Sequence, residues 1–113
     1  MYKNHIIIDF EMNPVAKGNR EIRQVLKKEI IEIGAIMLNE EHEVVDRFVC
    51  YVCPKYNSKV TKYITNLTGI KTTDVYRANT FEVAVKNLNQ WIGRKEGTRI
   101  YSWSNSDLEQ LKE

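Results

Sequence analysis

Cysteine, proline and glycine are all scarce in this chain of 113 residues, which holds two, two and five of them. Two cysteines cannot staple a small fold, so its stability has to come from a buried apolar core. Cys50 and Cys53 form a C-x-x-C in the extended stretch Phe48-Val-Cys-Tyr-Val-Cys-Pro54, where positions three apart face opposite sides. A zinc site would need two further ligands, and the two histidines, His5 and His42, belong to other segments. The pair is expected to be free, buried thiols in a reducing cell. No apolar run approaches the length that crosses a bilayer, and no hydrophobic leader precedes the first strand. The expectation is a cytoplasmic protein with no membrane partner. Charge of one sign is lacking too: 17 bases against 15 acids leave a net +2, too little to announce a polyanion through bulk electrostatics. There is no internal repeat and no low-complexity tract.

What is present suits one globular domain, with 42% hydrophobic and 28% charged residues. Ile6-Ile7-Ile8 reads as a strand covered on both faces, and Asp9-Phe10-Glu11 follows at once. Alternation puts His5, Ile7, Asp9 and Glu11 on one face and Ile6, Ile8 and Phe10 on the other. The two carboxylates then lie roughly 6 to 7 Å apart, where they repel and one pKa rises unless a cation sits between them. Hard divalent metals supply such a cation through oxygen ligands. The same spacing also fits a strand that has reached solvent, with both acids hydrated.

Farther along, Asn13-Pro14 halts regular structure. Between Lys17 and Lys28 stand five bases (Lys17, Arg20, Arg23, Lys27, Lys28) and one acid, Glu21. This segment reads either as a contact for a phosphate backbone or as a solvated, slightly helical loop pinned by Ile22, Val25 and Leu26. Residues 29–38 form a second strand that after Glu29 is apolar apart from Glu32, with Gly34 admitting a neighbouring backbone. A turn at 39–42 leads to a third strand at 43–53, which is most simply antiparallel to the second. Pro54 ends it. Val60, Ile64 and Leu67 predict a short helix over 58–67 that stops at Gly69. Thr80 caps a longer helix with Phe81, Ala84, Val85, Leu88, Trp91 and Ile92 on one stripe and Gly93 past its end. A fourth strand follows at 99–103, and Ser104-Asn-Ser-Asp107 reads as a helix start. A strand reached through a helical crossover should lie parallel to the first. The expected α/β fold is therefore a mixed sheet: three antiparallel strands, then a parallel strand, with packed helices.

In that arrangement Asp107 emerges at the same edge as Asp9 and Glu11, where open α/β sheets bind ligands. An acid in the first turn of a helix also has a structural reading, as a capping-box residue. D-x-E after strand one, EIIEIGAI on strand two, CPKYNSKVTKYITNLTGI after strand three and IYSWSNSDLEQL after the crossover together resemble the DEDD superfamily of 3′-to-5′ exonucleases, which have an RNase H-like fold. Within it the resemblance is greatest to the DEDDh branch, especially the RNA-directed enzymes that trim histone-mRNA ends and small interfering RNAs. The resemblance implies that Asp9, Glu11 and Asp107 are catalytic metal ligands for two divalent ions, Mg²⁺ or Mn²⁺. It implies that Leu67, Thr68, Gly69 and Ile70 lie beside the terminal nucleotide, and that the backbone at Met12 and Asn13 approaches the 3′ end. Phe10 and Leu67 are candidates to stack on or wedge the last bases, or else are core.

Carboxylates suit such a reaction because they are hard, anionic and able to bridge two ions about 4 Å apart. The family pattern continues with a histidine general base and a fourth aspartate downstream, whereas only six residues follow Asp107. No residue here fills the general-base role. Residues 1–113 therefore read as an incomplete exonuclease domain, nearly inactive as written, whose substrates would be single-stranded RNA or DNA 3′ ends. Two other functions share these features: a binding module that grips nucleic-acid ends or a protein without cutting, and a polymerase proofreading subunit. An open strand edge and thin cover over Trp91, Ile100 and Trp103 predict self-association.

Overall fold

The computed structural model describes residues 3–15, 18, 20–93 and 97–102. Four strands, β1 (Asn4–Pro14), β2 (Lys28–Leu38), β3 (Val44–Tyr51) and β4 (Thr98–Ser102), form one sheet in the order β3-β2-β1-β4. Four helices, α1 (Arg20–Val25), α2 (Lys62–Thr68), α3 (Thr72–Val75) and α4 (Phe81–Ile92), fill the connections. β1 pairs with β2 and β2 with β3 antiparallel, and β4 runs parallel to β1. This is the expected mixed sheet.

Local chemistry sets each connection. Between β2 and β3 the Asn39 side chain accepts from the amides of Glu41 and Glu43 at 3.0 and 2.9 Å, and His42 takes φ 62°. A turn this tight can only return the chain antiparallel. Between β3 and β4 the chain instead passes through α2, α3 and α4, and the long crossover permits a parallel return. α4 begins where its sequence says, with the Thr80 hydroxyl accepting from the Val83 amide, and Gly93 follows its last residue.

Two apolar clusters hold the layers together. Ile6, Ile8 and Phe10 of β1 pack with Ile30, Ile33 and Ala35 of β2 against Ala84, Leu88 and Ile92 of α4. Trp91 is half-buried on this cluster, its ring 5.7 Å from Phe48 and its indole N–H donating to Asp46 at 2.9 Å. The second cluster joins Ile31 to Val60, Ile70 and Val75, with Ile64 packed against it. A bulge makes the division. Pairing jumps from Glu11–Glu32 to Met12–Ile30, so Ile31 is the extra residue. It leaves the first cluster and seats the α2–α3 unit.

Several expectations shift. α2 starts at Lys62 rather than at residue 58, because Thr61 is its cap: the Thr61 hydroxyl accepts from the Ile64 amide at 3.2 Å. Residues before Thr61 are held out of the helix by side chains from elsewhere, among them Thr72, whose hydroxyl accepts from the Val60 amide at 3.0 Å. The helical turn at α3 carries too few residues for its period to be read. α1 is helical as expected, but the side chains of Ile22 and Val25 lie outside the described residues, as do Lys17, Trp103 and the helix expected from Ser104. A Cβ at Gly34 would lie 3.9 Å from the Asp9 carbonyl oxygen, an ordinary contact, so this glycine does not answer to close backbone approach.

Candidate active site

Asp9 and Glu11 share one face of β1, as strand alternation requires, and Ile6, Ile8 and Phe10 share the other. Residues directly opposite in an antiparallel pair also share a face. Asp9 stands opposite Gly34 and Glu11 opposite Glu32, with Val49 and Tyr51 next in line on β3. Glu32 thus joins the two strand acids. Its carboxyl is pushed above the usual range, chiefly by burial and then by the charges of Glu11 and Asp9. Gly34 places no side chain over Asp9, which remains exposed. The Asp9 carboxylate accepts from the Phe10 amide at 2.9 Å, which fixes one of its oxygens.

Two residues past Glu11, Asn13 is fully buried. Its amide nitrogen donates to the Lys59 carbonyl at 3.0 Å, and its side-chain oxygen accepts from the Thr61 amide at 3.0 Å. The Asn57 side chain returns the link, donating to the Pro14 carbonyl at 2.9 Å. The start of α2 is thereby bolted to the strand that carries the acids. Opposite Asn13, buried Glu29 accepts from the Lys55 and Tyr56 amides at 2.6 and 3.1 Å. A cavity of about 500 Å³ beside Glu29, Val52 and Phe81 is accordingly lined by an acid already used for backbone support.

The segment expected near a terminal nucleotide is divided by the fold. Leu67 is 68% exposed. The Thr68 hydroxyl donates to the Ile64 carbonyl at 2.8 Å and accepts from the Ile70 amide at 3.1 Å. Gly69 ends α2 at φ 81°. Ile70 is buried in the second cluster, so its side chain is core and not a nucleotide contact. Phe10 belongs to the first cluster and Met12 packs against it. Asp107 lies outside the described residues. The strand that precedes it in sequence is placed: β4 runs alongside β1 as far as Ser102, opposite Ile8, and so heads for the edge where Asp9 begins.

Glu32 is the site residue that strand alternation alone does not reveal. Its signal is an acid inside the apolar run that follows Glu29 in β2, and its meaning depends on register. Other clusters carry less. Cys50 and Cys53 are free as expected but only half-buried; Cys50 packs on the first cluster, and burial pushes its thiol up, which disfavours the reactive thiolate. His5 Nδ1 lies 3.1 Å from the Tyr101 hydroxyl and its ring 5.1 Å from that of His42, at the far end of β1 from the acids. Among the described residues, no three His, Cys, Asp or Glu side chains converge to hold a metal ion by themselves. The hard carboxylate oxygens of Asp9 and Glu11 fit a divalent cation in kind, and they need a further ligand to complete a site.

Comparison with known proteins agrees with this geometry. The family described as Exonuclease (RNase_T) matches residues 6–110. Human 3′-5′ exoribonuclease 1 is 35% identical over 99 residues, covering 87% of this chain and 27% of that protein. The probable 3′-5′ exonuclease KapD of Bacillus subtilis (strain 168) is 34% identical over 108 residues, covering 96% of this chain and 51% of its own length. Among solved structures, the nuclease domain of 3′hExo, a DEDDh family member bound to rAMP, superposes with a TM-score of 0.80 at 30% identity. That match takes in 97% of this chain and 56% of the nuclease domain. The chain therefore spans about a quarter to a half of the relatives it matches.

Proposed function

Because the chain belongs to the RNase_T exonuclease family, we propose that the domain it represents is a metal-dependent 3′-to-5′ exonuclease acting on single-stranded nucleic-acid ends. RNA is the favoured substrate, since the relatives include an exoribonuclease and a nuclease domain bound to rAMP. The observation that carries the reading is the pairing of Asp9 and Glu11 on one face of β1, at the edge toward which parallel β4 also runs.

Bound divalent ions, Mg²⁺ or Mn²⁺, would activate water and neutralise charge on the phosphodiester oxygens. Asp9, Glu11 and Asp107 would hold them. Asp9 is oriented for that role by the Phe10 amide. Glu32 adds negative potential beside the pair, which favours a cation and disfavours a phosphate that arrives without one. Gly34 puts no side chain beside Asp9 on the neighbouring strand.

Calorimetry with Mn²⁺ tests the site. The wild-type chain should bind, and Asp9→Ala should abolish the heat of binding; equal binding by both would remove Asp9 from the site. General-base assistance is worth on the order of 10²- to 10⁴-fold in rate, and within these 113 residues neither His5 nor His42 lies beyond Asp107. These 113 residues should therefore cleave a labelled oligonucleotide at least that much more slowly than a relative's complete nuclease domain. Comparable turnover would show that cleavage needs no histidine beyond Asp107.

A further inference from the structure

The chain has two histidines, and folding brings them together. His5 stands near the start of β1 and His42 in the β2–β3 turn, yet their ring centroids are 5.1 Å apart with the planes at 53°. Both line one cavity of about 350 Å³, together with Ile7, Leu38, Tyr101 and Ser102. At the rise of a strand His5 lies about 13 Å from Asp9, so this cluster is separate from the acids. Its rings are not dictated by the backbone. His42 takes φ 62°, a conformation that asparagine or glycine adopts as readily, and its side chain is exposed. Ring packing accounts for the spacing of the two histidines. It does not account for the third member of the cluster, Tyr101 of β4, whose ring lies 5.9 Å from that of His5 and whose hydroxyl lies 3.1 Å from His5 Nδ1. When Nδ1–H donates to that hydroxyl, the imidazole carries its lone pair on Nε2. A hydrogen bond of this kind at the other ring nitrogen is how metal-bound histidines are oriented. Tyr101 is steadied in turn by Arg99, whose guanidinium lies 5.1 Å over its ring.

We infer that His5 and His42 form a two-imidazole site for a divalent transition metal of the zinc class. Two imidazoles on one tetrahedral zinc, with nitrogen about 2.0 to 2.1 Å from the metal, hold their centroids about 5 Å apart. The folded chain already sets that separation. Imidazole nitrogen suits zinc, whereas Asp9 and Glu11 offer the hard oxygens that suit Mg²⁺ or Mn²⁺. One strand therefore sorts two classes of ion to two places. The cavity is lined by no other His, Cys, Asp or Glu among the described residues, so water completes the coordination. Bound zinc would join the start of β1 to the β2–β3 turn and, through Tyr101, steady β4. A metal that binds the folded chain alone stabilises it by mass action. The site is thus a clamp on one end of the sheet, whatever reaction the acids perform.

Calorimetry with Zn²⁺ on the full chain, in an excess of Mg²⁺ that occupies the acids, tests the clamp. Wild type should bind one ion per chain. Tyr101→Phe keeps the ring and loses the hydroxyl, and should weaken binding about 10- to 100-fold, the range for a contact that orients a ligand. His42→Asn suits the turn and removes a ligand itself, so it should weaken binding at least as much. Asp9→Ala should leave Zn²⁺ affinity unchanged. Zn²⁺ should raise the melting temperature of wild type and not that of His42→Asn. Equal melting of these two in EDTA excludes a folding effect, and His5→Gln repeats the test should the turn reject asparagine. Absence of Zn²⁺ binding in wild type, wild-type affinity in the histidine variants, or loss of Zn²⁺ binding in Asp9→Ala overturns the clamp. Mn²⁺ binding that depends on Asp9 and not on His42 leaves the nuclease reading standing whichever way the zinc result falls.

Discussion

Three carboxylates share a face of the sheet near the end of β1, and strand alternation identifies two of them. Asp9 and Glu11 were legible because a period of two needs no partner strand to be read. Glu32 was not, because its place opposite Glu11 is set by a register that only the β2–β3 turn and the bulge at Ile31 define. Its titration has a consequence for stability. The carboxyl of Glu32 titrates higher in the folded chain than in the unfolded one, so it favours folding while protonated, and that contribution disappears as pH rises through the folded value. At neutral pH the ionised group opposes folding. Thermal unfolding in EDTA should therefore show Glu32→Gln melting above wild type at neutral pH, with the gap closing toward pH 4. A gap independent of pH would place the effect in packing instead of charge.

Elements differed in how much of themselves they disclosed. α4 could be read entire: cap, apolar stripe and stop all lie within its own residues. α2 could not, since the Val60 and Thr61 amides are taken up by Thr72 and Asn13, residues outside its window. The same distinction predicts substitution effects. Thr80→Ala removes a cap that α4 supplies to itself and should cost about 1 kcal/mol. Leu88→Ala leaves a cavity under the first cluster and should cost about 2 to 5 kcal/mol. Asn13→Ala leaves the Lys59 carbonyl and Thr61 amide without their partner and should cost as much as the cavity, at about 1 to 3 kcal/mol for each of the two groups. Urea unfolding of the three variants checks the order, and an Asn13→Ala variant as stable as wild type would show that water replaces the side chain.

For the molecule as a whole, the mixed topology followed from the lengths of the connections, and what stayed hidden was the uneven cover of the two sheet faces. α4 shields one face, while on the other Val45 and Val49 are 55% and 69% exposed. β3 and β4 are both sheet edges. Apolar surface beside open edges favours pairing between chains. Sedimentation at increasing concentration should show reversible dimerisation, and Val49→Lys should shift it toward monomer; a monomer at every concentration contradicts the expectation. The edges are also unequal in hold. β4 meets β1 through five residue pairs, against ten between β1 and β2. Short edge strands are the first to fray, and β4 is the one that leads to Asp107. Warming would thus part β4 from β1, and with it the stretch that runs on to Asp107, before the pairing of β1 with β2 gives way.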